Sequence, residues 1–253
     1  MKHKDPFSLT GKRLLITGAS SGIGKQTAIS CSAMGAQLVI TGRNLDRLHE
    51  TAKELEGDGH TCIAADLTKE QDITLLAENS GQLDGILHAA GISKLAPVRL
   101  LKRAHLEEIF SHNTYAPILL TKELLIRRKI SKNGSIVFIS AIASHVGPLA
   151  SSAYSASKAA LMGATRSLAL EVAKKGIRVN CISPGYVQTP MLNNLAQDGV
   201  GTDGKYQLGP LGIGEPEDVA YAAIFYLSDA SRWITRNYFI IDGGLTAAMD
   251  IYA

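Results

Sequence analysis

Tyr154 and Lys158 stand four residues apart with only Ser155, Ala156 and Ser157 between them. On a helix that spacing brings both side chains to one face, about a turn apart. An ammonium near a phenol favours the phenolate, so the pair predicts a tyrosine tuned to exchange a proton with a substrate oxygen. Alone the pattern is weak, because a half-buried tyrosine beside a solvated lysine is the commoner case. The elements that would position the pair have to decide it.

The first such element is a glycine-rich turn. The apolar run Leu14-Leu15-Ile16 suits a short strand buried on both faces of a parallel sheet. It leads into Thr17-Gly18-Ala19-Ser20-Ser21-Gly22-Ile23-Gly24, and a helical stretch follows from Lys25 to about Met34. Glycines at 18, 22 and 24 allow a tight turn, a close approach of backbone to a pyrophosphate and close helix-on-strand packing. The phosphate would sit at the helix N-terminus, with Ser20, Ser21 and Ile23 in the turn around it. The second strand, Gln37 to Thr41, ends in Gly42-Arg43-Asn44. An acid at that tip would accept from the ribose hydroxyl of NAD, whereas an arginine accommodates the 2′-phosphate of NADP. Arg43 therefore points to NADP(H) as cofactor.

Further strand-like runs fall at His60 to Ala65, Leu83 to Ala89, Ser135 to Ser140, Ile177 to Ile182 and Tyr238 to Ile241. Helical stretches separate them near Lys69 to Asn79, Lys102 to Lys129, Ser152 to Lys175 and Glu217 to Leu227. This alternation predicts an α/β fold: a doubly wound parallel sheet of the Rossmann type, about seven strands with helices on both faces. Ligands bind such sheets at the carboxyl ends of the strands. Asp66-Leu67 lies at one such end, His88-Ala89-Ala90-Gly91 at the next, and Ser183-Pro184-Gly185-Tyr186-Val187-Gln188-Thr189-Pro190 follows the sixth strand. Asp66 can accept from an adenine amino group, and the small Ala90-Gly91 pair leaves room for a cofactor. Asn113 interrupts the long helical region after the fourth strand.

No linker, charge block or low-complexity run divides the 253 residues, so 1–253 reads as one domain. The net charge of +3 is small and its cations are scattered among acids, which argues against nucleic acid as a partner. No apolar run approaches the ~18 residues of a membrane span. Cys31, Cys62 and Cys181 lack metal-ligand or disulfide spacing. They read as reduced thiols in a cytoplasmic protein, and no metal is expected.

Together the segments resemble the short-chain dehydrogenase/reductase family, in its branch of single-domain chains of this length. TGASSGIG at 17–24, Asp66, HAAG at 88–91, Asn113, YSASK at 154–158, PG at 184–185 and IDGG at 241–244 carry the resemblance. It implies an oxidoreductase that interconverts a carbonyl and a secondary alcohol, chiefly as a reductase. Tyr154 would be the general acid or base, and Lys158 would hold the nicotinamide ribose and lower the tyrosine pKa. Asn113 would hold a relay water, and Val187 and Thr189 would engage the carboxamide.

One member of the set is missing. The family's serine, a donor to the substrate oxygen, is expected thirteen residues before the tyrosine, where this chain has Ala141. Ser140 should face the other way on its strand, and Ser144 lies in what reads as a loop. Three readings stay open: an engineered Ser-to-Ala exchange made to trap a complex, a natural variant using Ser144, Ser152 or a substrate hydroxyl, and an NADP-binding sensor or scaffold with little turnover.

The substrate region is expected at His145, Ser152, Tyr186 and Met191, with 191–213 as a lid. The default substrate is a 3-oxoacyl thioester on a carrier protein, since reductases of that kind look similar over the full length; a small ketone, cyclic alcohol or sugar-derived intermediate is the other class. Carrier docking would fall to Arg127, Arg128, Lys129 and Lys132, because Leu170 stands where those enzymes often carry an arginine. The family implies a homotetramer, or a homodimer. Leu161, Met162, Leu168, Val172 and the apolar end 245–253 are the expected contact surfaces.

Overall fold

The computed structural model describes residues 5–197 and 209–249. Its centre is a seven-stranded sheet in the order β3-β2-β1-β4-β5-β6-β7, with every neighbouring pair parallel. The strands are β1 Arg13–Thr17, β2 Gln37–Gly42, β3 Thr61–Ala64, β4 Leu83–His88, β5 Ile130–Ile139, β6 Arg178–Pro184 and β7 Tyr238–Ile241. The order reverses between β1 and β4, which opens a crevice at their carboxyl ends, where doubly wound sheets bind ligands.

The central strands carry apolar runs because both their faces are covered. Leu14 and Ile16 of β1 enter one core layer, with Leu38 and Ile40 of β2 and Ile182 of β6. That layer packs under α1 (Gly22–Ala33), α2 (Leu45–Lys53) and α9 (Pro216–Leu227). Leu15, lying between them in sequence, points the other way into a second layer with Val39, Ile86, Phe138 and Cys181. The period of two along a strand thus divides one continuous apolar run between two cores.

The second layer is closed by α3 (Glu70–Asn79), α5 (Ala116–Ile126) and α7 (Ser152–Val172). Leu161 and Val172 are buried in it, with Met162 and Leu168 packed against it. The residues read from sequence as an external contact face are therefore mostly core of this chain. The reason is the length of α7, which lies across the sheet and spends its apolar stripe there.

The stretch expected as one helix from Lys102 to Lys129 is built in three pieces. After α4 (Arg103–Phe110), Ser111–Tyr115 forms one turn of π-helix, and α5 follows. Such a turn shifts the helical phase and recurs at functional sites; here it carries buried Asn113 and Thr114. Three α-helices fall outside the expected helical stretches, α2, α6 (Ala143–Val146) and α10 (Leu245–Met249), and α8 (Pro190–Gln197) opens the stretch expected as a lid. About half of the expected lid 191–213, residues 198–208, lies outside the described residues. Among the described residues no helix is long and apolar enough to cross a membrane.

Candidate active site

The turn after β1 is close-packed in a way only glycine allows. Gly18 has φ +68°, and a Cβ there would stand 2.8 Å from the Ala90 backbone. A Cβ on Gly24 would run into the Gly18 carbonyl oxygen, so α1 can start flush against the turn. Ser21 caps α1 with no side-chain bond, which leaves the helix N-terminus available to an anion. In front lies a cavity of about 250 Å³ lined by Gly18, Ser20, Ser21, Gly22, Ile23 and Gly24.

The same cavity reaches Arg43 at the tip of β2 and Asp66 and Leu67 beyond β3, and Ala89, Ala90 and Gly91 form its floor. Asn44 is not part of it: its side chain accepts from the Arg47 N–H at 2.9 Å and caps α2. Arg47, in the first turn of α2, lines the cavity beside Arg43. Burial alone would raise the Asp66 pKa, but hydrogen bonds from Thr68 and the charges of Lys69 and Arg43 bring it below the usual carboxylate value. The glycine cradle, the helix N-terminus and the small floor residues fit a dinucleotide.

A second cavity, of about 160 Å³, adjoins the first, and Ile23, Ala89, Gly91, Thr189 and Met191 line both. It holds Tyr154, Lys158 and Ala141, with Pro184, Gly185, Tyr186 and Val187 after β6. Gly185 is required there because a Cβ would lie 2.8 Å from Asp242 Cα. Thr189 accepts from the Leu192 N–H at 3.4 Å at the start of α8.

Lys158 is buried, and its ammonium donates to the Ile139 carbonyl at 2.9 Å rather than to the phenol. Burial lowers its pKa to about 8, partly offset by Cys181. Burial raises the Tyr154 pKa to about 12. The expectation of a tyrosine acidified by its lysine is thus reversed in the free protein: desolvation disfavours the phenolate, and the lysine's charge is committed to a backbone carbonyl. A pKa raised to about 12 keeps the Tyr154 phenol protonated at neutral pH.

Asn113 serves as a clamp. Its Oδ1 accepts from the Ile92 N–H at 2.8 Å, and its Nδ2 donates to the Ile92 carbonyl at 2.9 Å and to Ser157 Oγ at 3.0 Å. This ties the loop after β4 to α7 and sets Gly91 beside Lys158; a Cβ on Gly91 would lie 3.3 Å from its Nζ. His88 belongs to the core, stacked on Phe138 at 4.9 Å and held neutral, its pKa pushed down to about 3 by burial.

Several expected site residues lie elsewhere. Ser144 is in α6, not a loop, and its hydroxyl donates back to the Ala141 carbonyl at 2.6 Å. Ser140 Oγ donates to the Lys158 carbonyl at 3.0 Å. Ser152 is exposed at the start of α7, on a groove with Val98 and Leu106 outside the Tyr154 cavity. The His145 ring is tied to Ser183 Oγ at 3.0 Å and does not line the cavity. Tyr186 and Met191 do line it. Two of the four expected carrier-docking cations are engaged: Arg127 pairs with Glu123 and Glu78, and Lys129 donates to the Glu78 carbonyl.

Fold and site together set a glycine-lined cavity of dinucleotide type against a cavity that holds Tyr154 and Lys158. The family model described as "Enoyl-(Acyl carrier protein) reductase" matches residues 18–246. Carbonyl reductase family member 4 of Danio rerio is 35% identical over 242 residues, covering 93% of this chain and 98% of its own length. The 3-oxoacyl-[acyl-carrier-protein] reductase FabG of Rickettsia prowazekii is 34% identical, covering 94% of this chain and 98% of its own length. A solved structure titled as a short chain dehydrogenase/reductase family protein superposes with a TM-score of 0.85 at 33% identity, over 95% of this chain and 99% of that one. The chain belongs to the short-chain dehydrogenase/reductase family, whose members are oxidoreductases that use nicotinamide cofactors.

Proposed function

We propose that this protein is an NADP(H)-dependent reductase that converts a compact carbonyl compound into a secondary alcohol. The observation that carries the reading is the junction of the glycine-lined cavity with the cavity holding Tyr154 and Lys158. Arg43 and Arg47 line the first cavity at the tip of β2, where the 2′-phosphate would be held, and no acid stands at that tip to prefer NAD. When bound, the cofactor supplies the hydride at its nicotinamide ring. Tyr154 donates the proton to the substrate oxygen, and its raised pKa keeps that proton in place until transfer. Lys158 would hold the ribose, while Val187 and Thr189 would orient the carboxamide.

Ala141, Ile142, Ala143, Pro148, Val187 and Leu192 make most of the second cavity apolar. A ketone or short 3-oxoacyl thioester with an apolar flank suits it better than a keto-sugar, whose hydroxyls would lose water without partners. The ion pairs of Arg127 weigh against carrier docking at that cluster. Exposed Leu170, Tyr115, Phe239 and Ile240 support a homo-oligomer, a tetramer by family habit, which sedimentation tests. Three free thiols suit a reducing cytoplasm.

The decisive assay is NADPH oxidation with acetoacetyl thioesters, free ketones and keto-sugars, on the parent chain and on Ala141→Ser. Restoring a donor to the substrate oxygen is worth roughly 10²–10³ in rate. A gain below about tenfold rules out a chain disabled by loss of the serine. NADPH binding with no hydride transfer by either form favours the sensor reading.

A further inference from the structure

Tyr154 and Lys158 are the third and seventh residues of α7, so both lie near its N-terminal end. A helix end frays unless something holds it, and Ser151 caps this one with no side-chain bond. The pair therefore needs fastening from other segments. Lys158 is tied directly to β5 and its end: its ammonium donates to the Ile139 carbonyl at 2.9 Å, and its own carbonyl accepts from Ser140 Oγ at 3.0 Å. Tyr154 is tied through Ser157, whose hydroxyl donates to the Tyr154 carbonyl at 2.7 Å.

Ser157 is also where the π turn grips α7. Asn113 Nδ2 donates to its hydroxyl at 3.0 Å, and Thr114 Oγ1 donates to its carbonyl at 2.9 Å. Consecutive side chains of an α-helix point to different sides; on the π turn these two meet the same residue. Asn113 and Ser157 are fully buried and Thr114 nearly so, which shuts out water that would compete for the bonds. Asn113 divides its amide between α7 and the loop after β4. The Thr114 hydroxyl, among the described residues, bonds the Ser157 carbonyl alone.

We propose that Thr114 is a positioning residue for the reduction: by holding the Ser157 carbonyl it fixes the turn of α7 that carries Tyr154 and Lys158 and so places both in the cavity. The inference rests on the reductase reading above. Thr114 lines neither cavity and exchanges no proton with the substrate; it acts through Ser157.

The test uses the full chain with NADPH and ethyl acetoacetate. Thr114→Val keeps the side-chain volume and removes the hydroxyl. It is expected to lower kcat by roughly 10–10²-fold, the scale on which rate is lost when catalytic groups shift by up to about 1 Å. KM for ethyl acetoacetate should stay within about twofold, because the proton donor acts in the transition state. Thr114→Ser, which keeps the hydroxyl, should retain kcat within about threefold of the parent, well short of that loss. A kcat of Thr114→Val within the same margin overturns the proposal, and so does an equal loss in Thr114→Ser. Lys158 reads the placement without cofactor or turnover. In protein carrying 13C at the lysine Cε, its signal is assigned by its absence from Lys158→Met and should titrate near pH 8 in the parent. In Thr114→Val the midpoint should move toward the ordinary 10.5, as the loosened turn lets water reach the ammonium. An unmoved midpoint overturns the proposal. A moved midpoint in a chain that reduces no carbonyl upholds the positioning by Thr114 and overturns only the reductase reading.

Discussion

Replacing Lys158 by methionine should abolish activity while making the protein more stable near neutral pH. The lysine is buried, and its pKa falls from the ordinary 10.5 to about 8 because burial disfavours the ammonium. That difference corresponds to about 3 kcal/mol of folding free energy. The unfolded chain keeps the proton up to 10.5 and the folded one releases it near 8. Between those values the unfolded state binds more protons, so the lysine's cost is fully present below the folded pKa and disappears as pH rises to the unfolded one. Lys158→Met removes this cost and leaves the Ile139 carbonyl without its donor, a loss of about 1–3 kcal/mol. The net effect near neutral pH is a gain of up to about 2 kcal/mol. Urea unfolding of parent and variant in parallel, at steps from about pH 7 to about pH 10, cancels the titrations they share. The stability difference should move toward the parent by about 2–3 kcal/mol across that range. A difference flat to within about 0.5 kcal/mol would mean the folded lysine titrates normally, and the argument from its burial would fall.

Tyr154→Phe should cost roughly 10²–10⁴ in kcat while leaving NADPH affinity unchanged. In the cofactor-free protein, the ultraviolet titration difference between parent and Tyr154→Phe should show no phenolate from this residue until well above pH 10, given its pKa near 12; ionisation near neutral pH would refute the protonated-donor reading. Arg43→Ala should weaken NADPH binding by roughly 10–10² while changing NADH binding only a few-fold, because a charge-assisted bond to phosphate contributes about 1.5–3 kcal/mol. Equal losses for both cofactors, read by fluorescence titration, would detach Arg43 from the 2′-phosphate.

Much of the fold was legible because parallel strands buried on both faces appear as short unbroken apolar runs, and Leu14-Leu15-Ile16 is one. The glycine turn was legible from the glycine spacing: Gly24 is dictated by the nearby Gly18 carbonyl, whereas the closeness of Gly18 to the Ala90 backbone is a distant contact. The π turn at Asn113 was visible only as an interruption, since no local pattern distinguishes a shifted helical phase from an ordinary polar residue. Nothing in the sequence set Arg47 apart, because which side chain of α2 lines the cavity depends on how that helix packs. The apolar face of α7 was real but was assigned to the wrong neighbour, because amphipathicity says that a face is buried and not against what.

What the sequence determined by itself is the doubly wound sheet, the dinucleotide turn, and a tyrosine and lysine one helical turn apart on α7. These rest on short-range sterics and periodicity, which the chain carries locally. Tertiary structure decided the state and company of those residues. It buried Lys158 against the Ile139 carbonyl and left Tyr154 protonated. It turned Ser144 and Ser152 away from the cavity. Desolvation and hydrogen-bond pairing depend on groups brought together from distant segments, so only the folded chain could assign them.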